Sequence, residues 1–293
     1  MFEGATAAVV TPFRAGQVDW PALRALTRHL ITGGLDGIVV LGSTGEGATL
    51  SADERRRALE TVLEEAKGRV FVIAGTGTNA TDSTIQLTRS AKEVGVDGVM
   101  LVTPYYNKPT PEGLVRHFEA VARAVDLPIV VYNVPSRTGM NLKPETAARL
   151  ARIPHVVAIK EAAGSLDQAS ELVQGTPLTV IAGDDSLTVP MMAVGAKGVI
   201  SVVANVVPGD VKAMVAAMAR GDLAKARELH ARLYPLTKAM FLETNPGPVK
   251  HALALLGLVA DELRLPLVPV TEATGREIEA ALRRYGLAVG AAA

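Results

Sequence analysis

Short apolar runs recur along the first two thirds of the chain. Each ends in a polar or glycine-containing loop, and an amphipathic stretch follows. The runs are ATAAVV from Ala5, GIVVLG from Gly37, VFVIAG from Val70, GVMLVTP from Gly98, PIVVYN from Pro128, VVAIKE from Val156, LTVIAG from Leu178 and GVISVV from Gly198. None alternates apolar with polar positions, so both faces of each run are predicted to be buried, as in a parallel sheet. The stretches between them carry helix signals. Ser51 and Glu54 make a capping box, after which Leu59, Val62, Leu63 and Ala66 share one face. Thr110 and Pro111 open another helix, with Leu114, Phe118, Val121 and Val125 on its apolar stripe. Asp19 caps a helix carrying Leu23, Leu26 and Leu30.

Eight buried strands alternating with helices predict a (β/α)8 TIM barrel. The alternative is a doubly wound open sheet, but no Gly-rich dinucleotide turn follows the first run. The strand runs stop near Gly221. Beyond it, DLAKARELHARLY, PVKHALALLGL and TEATGREIEAALRRYG read as helices punctuated by Pro246, Pro248, Pro266 and Pro269. The expected division is a catalytic barrel over 1–221 and a C-terminal helical domain over 222–293, packed on the barrel or on another subunit. Ala291, Ala292 and Ala293 read as a frayed tail.

Composition narrows the function. Lys plus Arg equals Asp plus Glu at 30 each, which gives no electrostatic reason to expect nucleic acid or an anionic membrane. The absence of cysteine excludes disulfides, thiolate catalysis and Cys-ligated metals, and suits a reducing cytoplasm. The opening MFEGATAAVVTPF lacks the pattern of a signal peptide, and no stretch has the ~18 uninterrupted apolar residues of a membrane span. The five histidines are scattered, and Asp184 with Asp185 have no neighbours to complete a cation site, so no metal is expected.

A barrel enzyme carries its chemistry at the C-terminal ends of its strands. Lys160 is the only lysine directly continuing an apolar run. An ammonium there is costly to bury, which favours the neutral amine, and a neutral amine attacks ketones to form an imine. The competing reading is an ion pair with Glu161 or Asp184; Glu161 points to the opposite face if the strand persists. Tyr132 ends the neighbouring strand, where a phenol can shuttle protons, with Tyr106 and the Ser43 hydroxyl as partners; otherwise Tyr132 is a core aromatic. The turn Gly42-Ser43-Thr44-Gly45 offers backbone N–H groups suited to a carboxylate, though an ordinary βα turn looks the same. Arg137 has a fork that suits a second carboxylate or a structural pair. The loops after the last two strands show no phosphate cradle, so the expected substrate is unphosphorylated.

Taken together the residues resemble the dihydrodipicolinate synthase family, within the pyruvate-dependent class I aldolases that include N-acetylneuraminate lyase. The resemblance spans essentially the whole chain. Its superfamily-level signs are GSTGE at 42–46, YNVPSRTG at 132–139 and Lys160. TPYYNKP at 103–109, GDDS at 183–186, ISVVANV at 200–206 and NPGPVK at 245–250 are more specific to the synthases. The resemblance implies that Lys160 forms a Schiff base with pyruvate and that Tyr132, Ser43 and Tyr106 relay protons, with Tyr106 donated into a neighbouring subunit's site. It implies that Thr44 holds the pyruvate carboxylate, that Arg137 receives aspartate 4-semialdehyde, and that Ile200 lines the substrate site. It further implies no cofactor, a homotetramer built as a dimer of dimers, and a role in diaminopimelate and lysine biosynthesis.

Two departures stand out. Ser43 occupies a relay position usually held by threonine, keeping the hydroxyl but losing the methyl that restricts its rotamer. At positions that surround the allosteric pocket in lysine-inhibited members stand Ala52, Arg55 and Ser83, although Asn79 and Tyr105 are kept; weak or absent lysine feedback is expected. The competing functions are another pyruvate aldolase acting on a sialic or keto-deoxy sugar acid, a metal-dependent barrel hydrolase, and a catalytically silent barrel. Arg137 and NPGPVK disfavour the first, the histidine distribution the second, and intact Lys160, Tyr132 and Arg137 the third.

Overall fold

In a computed structural model describing residues 1–290, all eight apolar runs are strands. They are β1 (Gly4–Ala8), β2 (Gly37–Val40), β3 (Phe71–Gly75), β4 (Gly98–Val102), β5 (Ile129–Asn133), β6 (Val156–Glu161), β7 (Thr179–Ala182) and β8 (Gly198–Ser201). Every pairing is parallel, and β1 meets both β2 and β8, so the sheet closes as the (β/α)8 barrel expected from the run count. The expected frayed tail, Ala291 to Ala293, lies outside the described residues. Among the described residues no helix is long and apolar enough to cross a membrane.

Eight helices alternate with the strands: α1 (Trp20–Thr32), α2 (Ala52–Ala66), α3 (Thr81–Val94), α4 (Pro111–Ala124), α5 (Pro144–Leu150), α6 (Leu166–Gly175), α7 (Thr188–Ala193) and α8 (Pro208–Ala219). The three N-terminal signals read from the sequence are present as bonds. Asp19 accepts from Ala22 N, Thr110 from Gly113 N, and Ser51 and Glu54 form a reciprocal capping box. A short hairpin, Phe13–Arg14 with Gln17–Val18, follows β1 and was not anticipated. Helices α9 (Leu223–Ala239), α10 (Gly247–Leu255) and α11 (Glu272–Tyr285) complete the fold, with α9 packed on α8 and α11 on both α9 and α10.

Two apolar layers explain why the strands read as unbroken hydrophobic runs. One lies between strands and helices and holds Ala7, Ile38, Leu101, Val131 and Ile159. The other fills the barrel and holds Ala8, Val39, Ile73, Met100, Tyr132, Ala158, Ile181 and Ile200. Side chains two apart on a strand share a face. Ala158 is inside, so Lys160 is inside; Ile159 faces the helices, so Glu161 does too. The interior fill makes this a packed core rather than a pore, and leaves the chemistry to the rim where the strands end.

Candidate active site

Lys160 lies on the last turn of pleat of β6, inside the barrel and 5% exposed. In the parallel register it stands between Tyr132 on β5 and Ile181 on β7. Its ammonium sits 4.3 Å from the centroid of the Tyr132 ring and has no carboxylate within 4.0 Å among the described residues. Burial pulls its pKa down to about 8, against weaker opposing pulls from Asp185 and Asp184. Space for the side chain comes from Gly183 at the end of β7: a Cβ there would stand 2.7 Å from Ala162 Cβ and 3.2 Å from Lys160 Cε.

The ion pair considered for Lys160 does not form. Glu161 faces the helix layer, where Asn133 Nδ2 donates to it at 3.0 Å, Gln168 Nε2 at 3.1 Å and Ala163 N at 2.7 Å. Burial raises its pKa, and the bonds from Asn133, Ala163 and Gln168 oppose that. Asn133 also accepts from Leu142 N at 3.0 Å, so this buried network fixes the chain just beyond β5 and β6. Asp185, considered as a cation ligand, is instead buried and receives Ser201 Oγ and, at 2.9 Å, Val202 N. It ties the end of β7 to the end of β8.

Tyr132 is 7% exposed, and burial pushes its phenol up to about 12, with Arg137 pulling the other way. Tyr132 and Ser43 line one cavity of about 180 Å³ that extends past Met100 to Arg55 and Tyr105. Ser43 is exposed on the loop after β2. Thr44 beside it is buried and accepts from Asn245 Nδ2 at 2.9 Å. Arg137 projects from the short helical turn Pro135–Thr138 after β5; its Nη2 donates to the main-chain oxygen of Asn245 at 3.1 Å, and no carboxylate pairs with it among the described residues. Ile200 is buried inside the barrel two strands from Lys160.

Tyr106 is the exception to this convergence. It is 89% exposed, and no hydrogen bond joins it to Tyr132 or Ser43. Its φ is 71°, and Asn107 N donates to Tyr105 O at 2.8 Å, so Tyr106 is the apex of a three-residue turn. Asn107 Nδ2 anchors that turn on Asn79 O at 2.7 Å. The local backbone therefore throws the ring outward, away from its own barrel.

The supporting contacts of several residues escaped the sequence reading. Glu46, Asn245, Lys250, Asp185 and Ser201 are all buried, and their partners lie between 16 and 204 residues away in sequence. Their motifs were visible as strings, but which residue meets which depends on closure of the barrel. No group of three His, Asp or Glu side chains that could hold a metal occurs among the described residues.

Comparison with known proteins agrees with the geometry. The model of the dihydrodipicolinate synthetase family matches residues 1–285. A 4-hydroxy-tetrahydrodipicolinate synthase of Pelobacter propionicus is 55% identical over 289 residues, 98% of this chain and 100% of that protein. One of Geobacter metallireducens is 53% identical over the same shares. The solved dihydrodipicolinate synthase of Thermotoga maritima superposes with a TM-score of 0.97 at 45% identity, covering 98% of this chain and 100% of that one. The chain belongs to the dihydrodipicolinate synthetase family.

Proposed function

We propose that this protein condenses pyruvate with aspartate 4-semialdehyde to give 4-hydroxy-tetrahydrodipicolinate, through a Schiff base on Lys160. The observation that carries this reading is a buried amine with no carboxylate partner, at the C-terminal end of a barrel strand and against a tyrosine ring. Burial lowers the pKa of a lysine so placed to about 8, which enlarges its neutral fraction, and the neutral amine is the nucleophile.

The Lys160 amine adds to the C2 ketone of pyruvate, and the carbinolamine loses water to give the iminium. Loss of a C3 proton makes the enamine, whose C3 attacks the aldehyde carbon. The amine of the bound adduct then closes the ring at C2, releasing Lys160, so one water leaves overall. Tyr132 carries its phenolic proton at neutral pH, as any tyrosine does, and its place against Lys160 suits it to hand that proton to the departing carbinolamine hydroxyl. Ser43, in the same cavity, continues the relay. Tyr106 extends to the site of a second copy, which accounts for a strained turn that exposes an aromatic ring. Thr44 and its backbone hold the pyruvate carboxylate, Ile200 packs against the bound substrate, and Arg137, steadied by Asn245 O and with no carboxylate partner among the described residues, takes the carboxylate of the aldehyde.

A homotetramer acting in the cytoplasm, with residues 1–221 as the catalytic barrel and 222–293 as its helical domain, belongs to the same proposal. Borohydride reduction in the presence of pyruvate, with peptide mass spectrometry, is expected to label Lys160. Turnover is expected with aspartate 4-semialdehyde and not with a sialic acid. A pyruvate adduct on any other residue, or cleavage of the sialic acid in preference, overturns the reading.

A further inference from the structure

The loop after β2 is gripped from outside the barrel. Asn245 Nδ2 donates to Thr44 Oγ1 at 2.9 Å, and Lys250 Nζ donates to Glu46 Oε1. A second proton of Lys250 goes to the main-chain oxygen of Glu262 at 2.7 Å, and its ammonium lies 4.1 Å from the centroid of the Phe13 ring. The other oxygen of Glu46 accepts from Arg264 N at 3.1 Å. Both side chains of the ion pair are fully buried. Asn245 also receives Arg137 on its main-chain oxygen, so one segment, 245–250, touches the loops after β2 and β5.

Stability is a weak reason for such an arrangement. A buried ion pair recovers through Coulomb attraction about what it loses in hydration, and apolar residues of the same volume do as well or better. The loop itself needs holding. Leu41 has φ 64° and Glu46 φ 49°, both in the left-handed region that strains an L side chain. The buried pair therefore acts at one of the two strained residues, and Asn245 acts two residues away, at Thr44. Released at both, the loop is free to relax and carry Ser43 and Thr44 with it.

We infer that Glu46, Asn245 and Lys250 are positioning residues for the first substrate, clamping the Ser43–Thr44 turn in the geometry that receives the carboxylate of a 2-oxo acid. This rests on the reading of Thr44 and Lys160 given above. The helices after the barrel are then part of the substrate site, although none of the three side chains need touch a reacting atom.

The test measures borohydride-trapped adduct on Lys160 as a function of pyruvate concentration, without the aldehyde, in the full-length protein. Two variants separate clamp from scaffold. Glu46→Met with Lys250→Met replaces the ion pair by apolar residues, and Asn245→Ala keeps the pair but releases Thr44. Misplacement by about 1 Å can cost about a hundredfold, so the double variant is expected to need at least about tenfold more pyruvate for half-maximal adduct, and Asn245→Ala about threefold more. At saturating pyruvate both still label Lys160. A folded double variant with the wild-type pyruvate dependence overturns the clamp. Should the double variant not fold, an unchanged dependence in Asn245→Ala overturns it instead. No label on the wild-type protein defeats the Schiff-base reading itself, whereas label with unaltered variants defeats only the clamp.

Discussion

Two lysines are buried among the described residues, Lys160 and Lys250, and they are treated in opposite ways. Lys250, on the C-terminal helix α10, is 0% exposed and meets a carboxylate, a carbonyl and an aromatic face. Lys160, at the rim of the barrel, is 5% exposed and meets only the ring of Tyr132. Burial lowers the pKa of both; at Lys250 a directly bonded Glu46 opposes it, and at Lys160 only the more distant Asp185 and Asp184 do. A buried ammonium that is fully bonded is structure; one left short of partners becomes an amine. The neighbouring carboxylates follow the same logic. Glu161 is next to Lys160 in sequence yet spends its oxygens on Asn133, Gln168 and Ala163, which leaves Lys160 unpaired.

The contrast is sharpest when the same substitution is made at both sites. Lys160→Met is expected to lower turnover by at least about 10³-fold, because the covalent intermediate cannot form, while leaving the melting temperature unchanged or raised. Steady-state kinetics and thermal unfolding check the two halves. Lys250→Met acts on stability instead: it leaves Glu46 without its cation partner in the interior, at a cost of about 3–5 kcal/mol by chemical denaturation. If Lys250→Met unfolds at the wild-type denaturant concentration, the two lysines do not differ as described.

Smaller effects probe the surroundings of Lys160. Tyr132→Phe keeps the ring beside the amine but removes the hydroxyl, and turnover is expected to fall about 10²-fold with the fold intact. Full activity in that variant would return Tyr132 to a packing role. The pH dependence follows from the depressed lysine. Below about 8 the amine is protonated and inactive, so the rate of adduct formation at saturating pyruvate rises with pH and levels off above it. A rate still climbing steeply above pH 9, near the ordinary lysine range of about 10.4, contradicts the depression. The smallest expected effect is at Arg55, whose guanidinium is taken up by the main-chain oxygens of Gly47 and Gly75. With Ser83 offering no carboxylate nearby, sub-millimolar lysine is expected to leave turnover unchanged; strong inhibition would show otherwise.

Much of this protein is legible in its sequence for a local reason. Strands buried on both faces must be apolar throughout, so eight such runs separated by capped helices specify a parallel barrel. A strand's period of two then puts Lys160 and Glu161 on opposite faces, and the packing of Ala158 inside the barrel makes Lys160 the inner one. What sits at each rim position was readable as well, because the rim is where each apolar run ends: Ser43, Thr44, Tyr132, Arg137 and Lys160 all lie there.

The partners of those residues were beyond the sequence. Asn245 meets Thr44 across 201 residues, Lys250 meets Glu46 across 204, and Ser201 meets Asp185 across 16. Nothing local encodes such pairs: the third needs β7 and β8 to pair, and the first two need the chain beyond the barrel to reach the loop after β2. Tyr106 shows the same division: its place after β4 is sequence, while the outward turn that separates it from its own Tyr132 is backbone geometry. The ends of the apolar runs marked which residues stand at the rim. Only tertiary structure decided which of them are held by neighbours and which, like Lys160, are left without a carboxylate partner, because burial and pairing are properties of the whole packed chain.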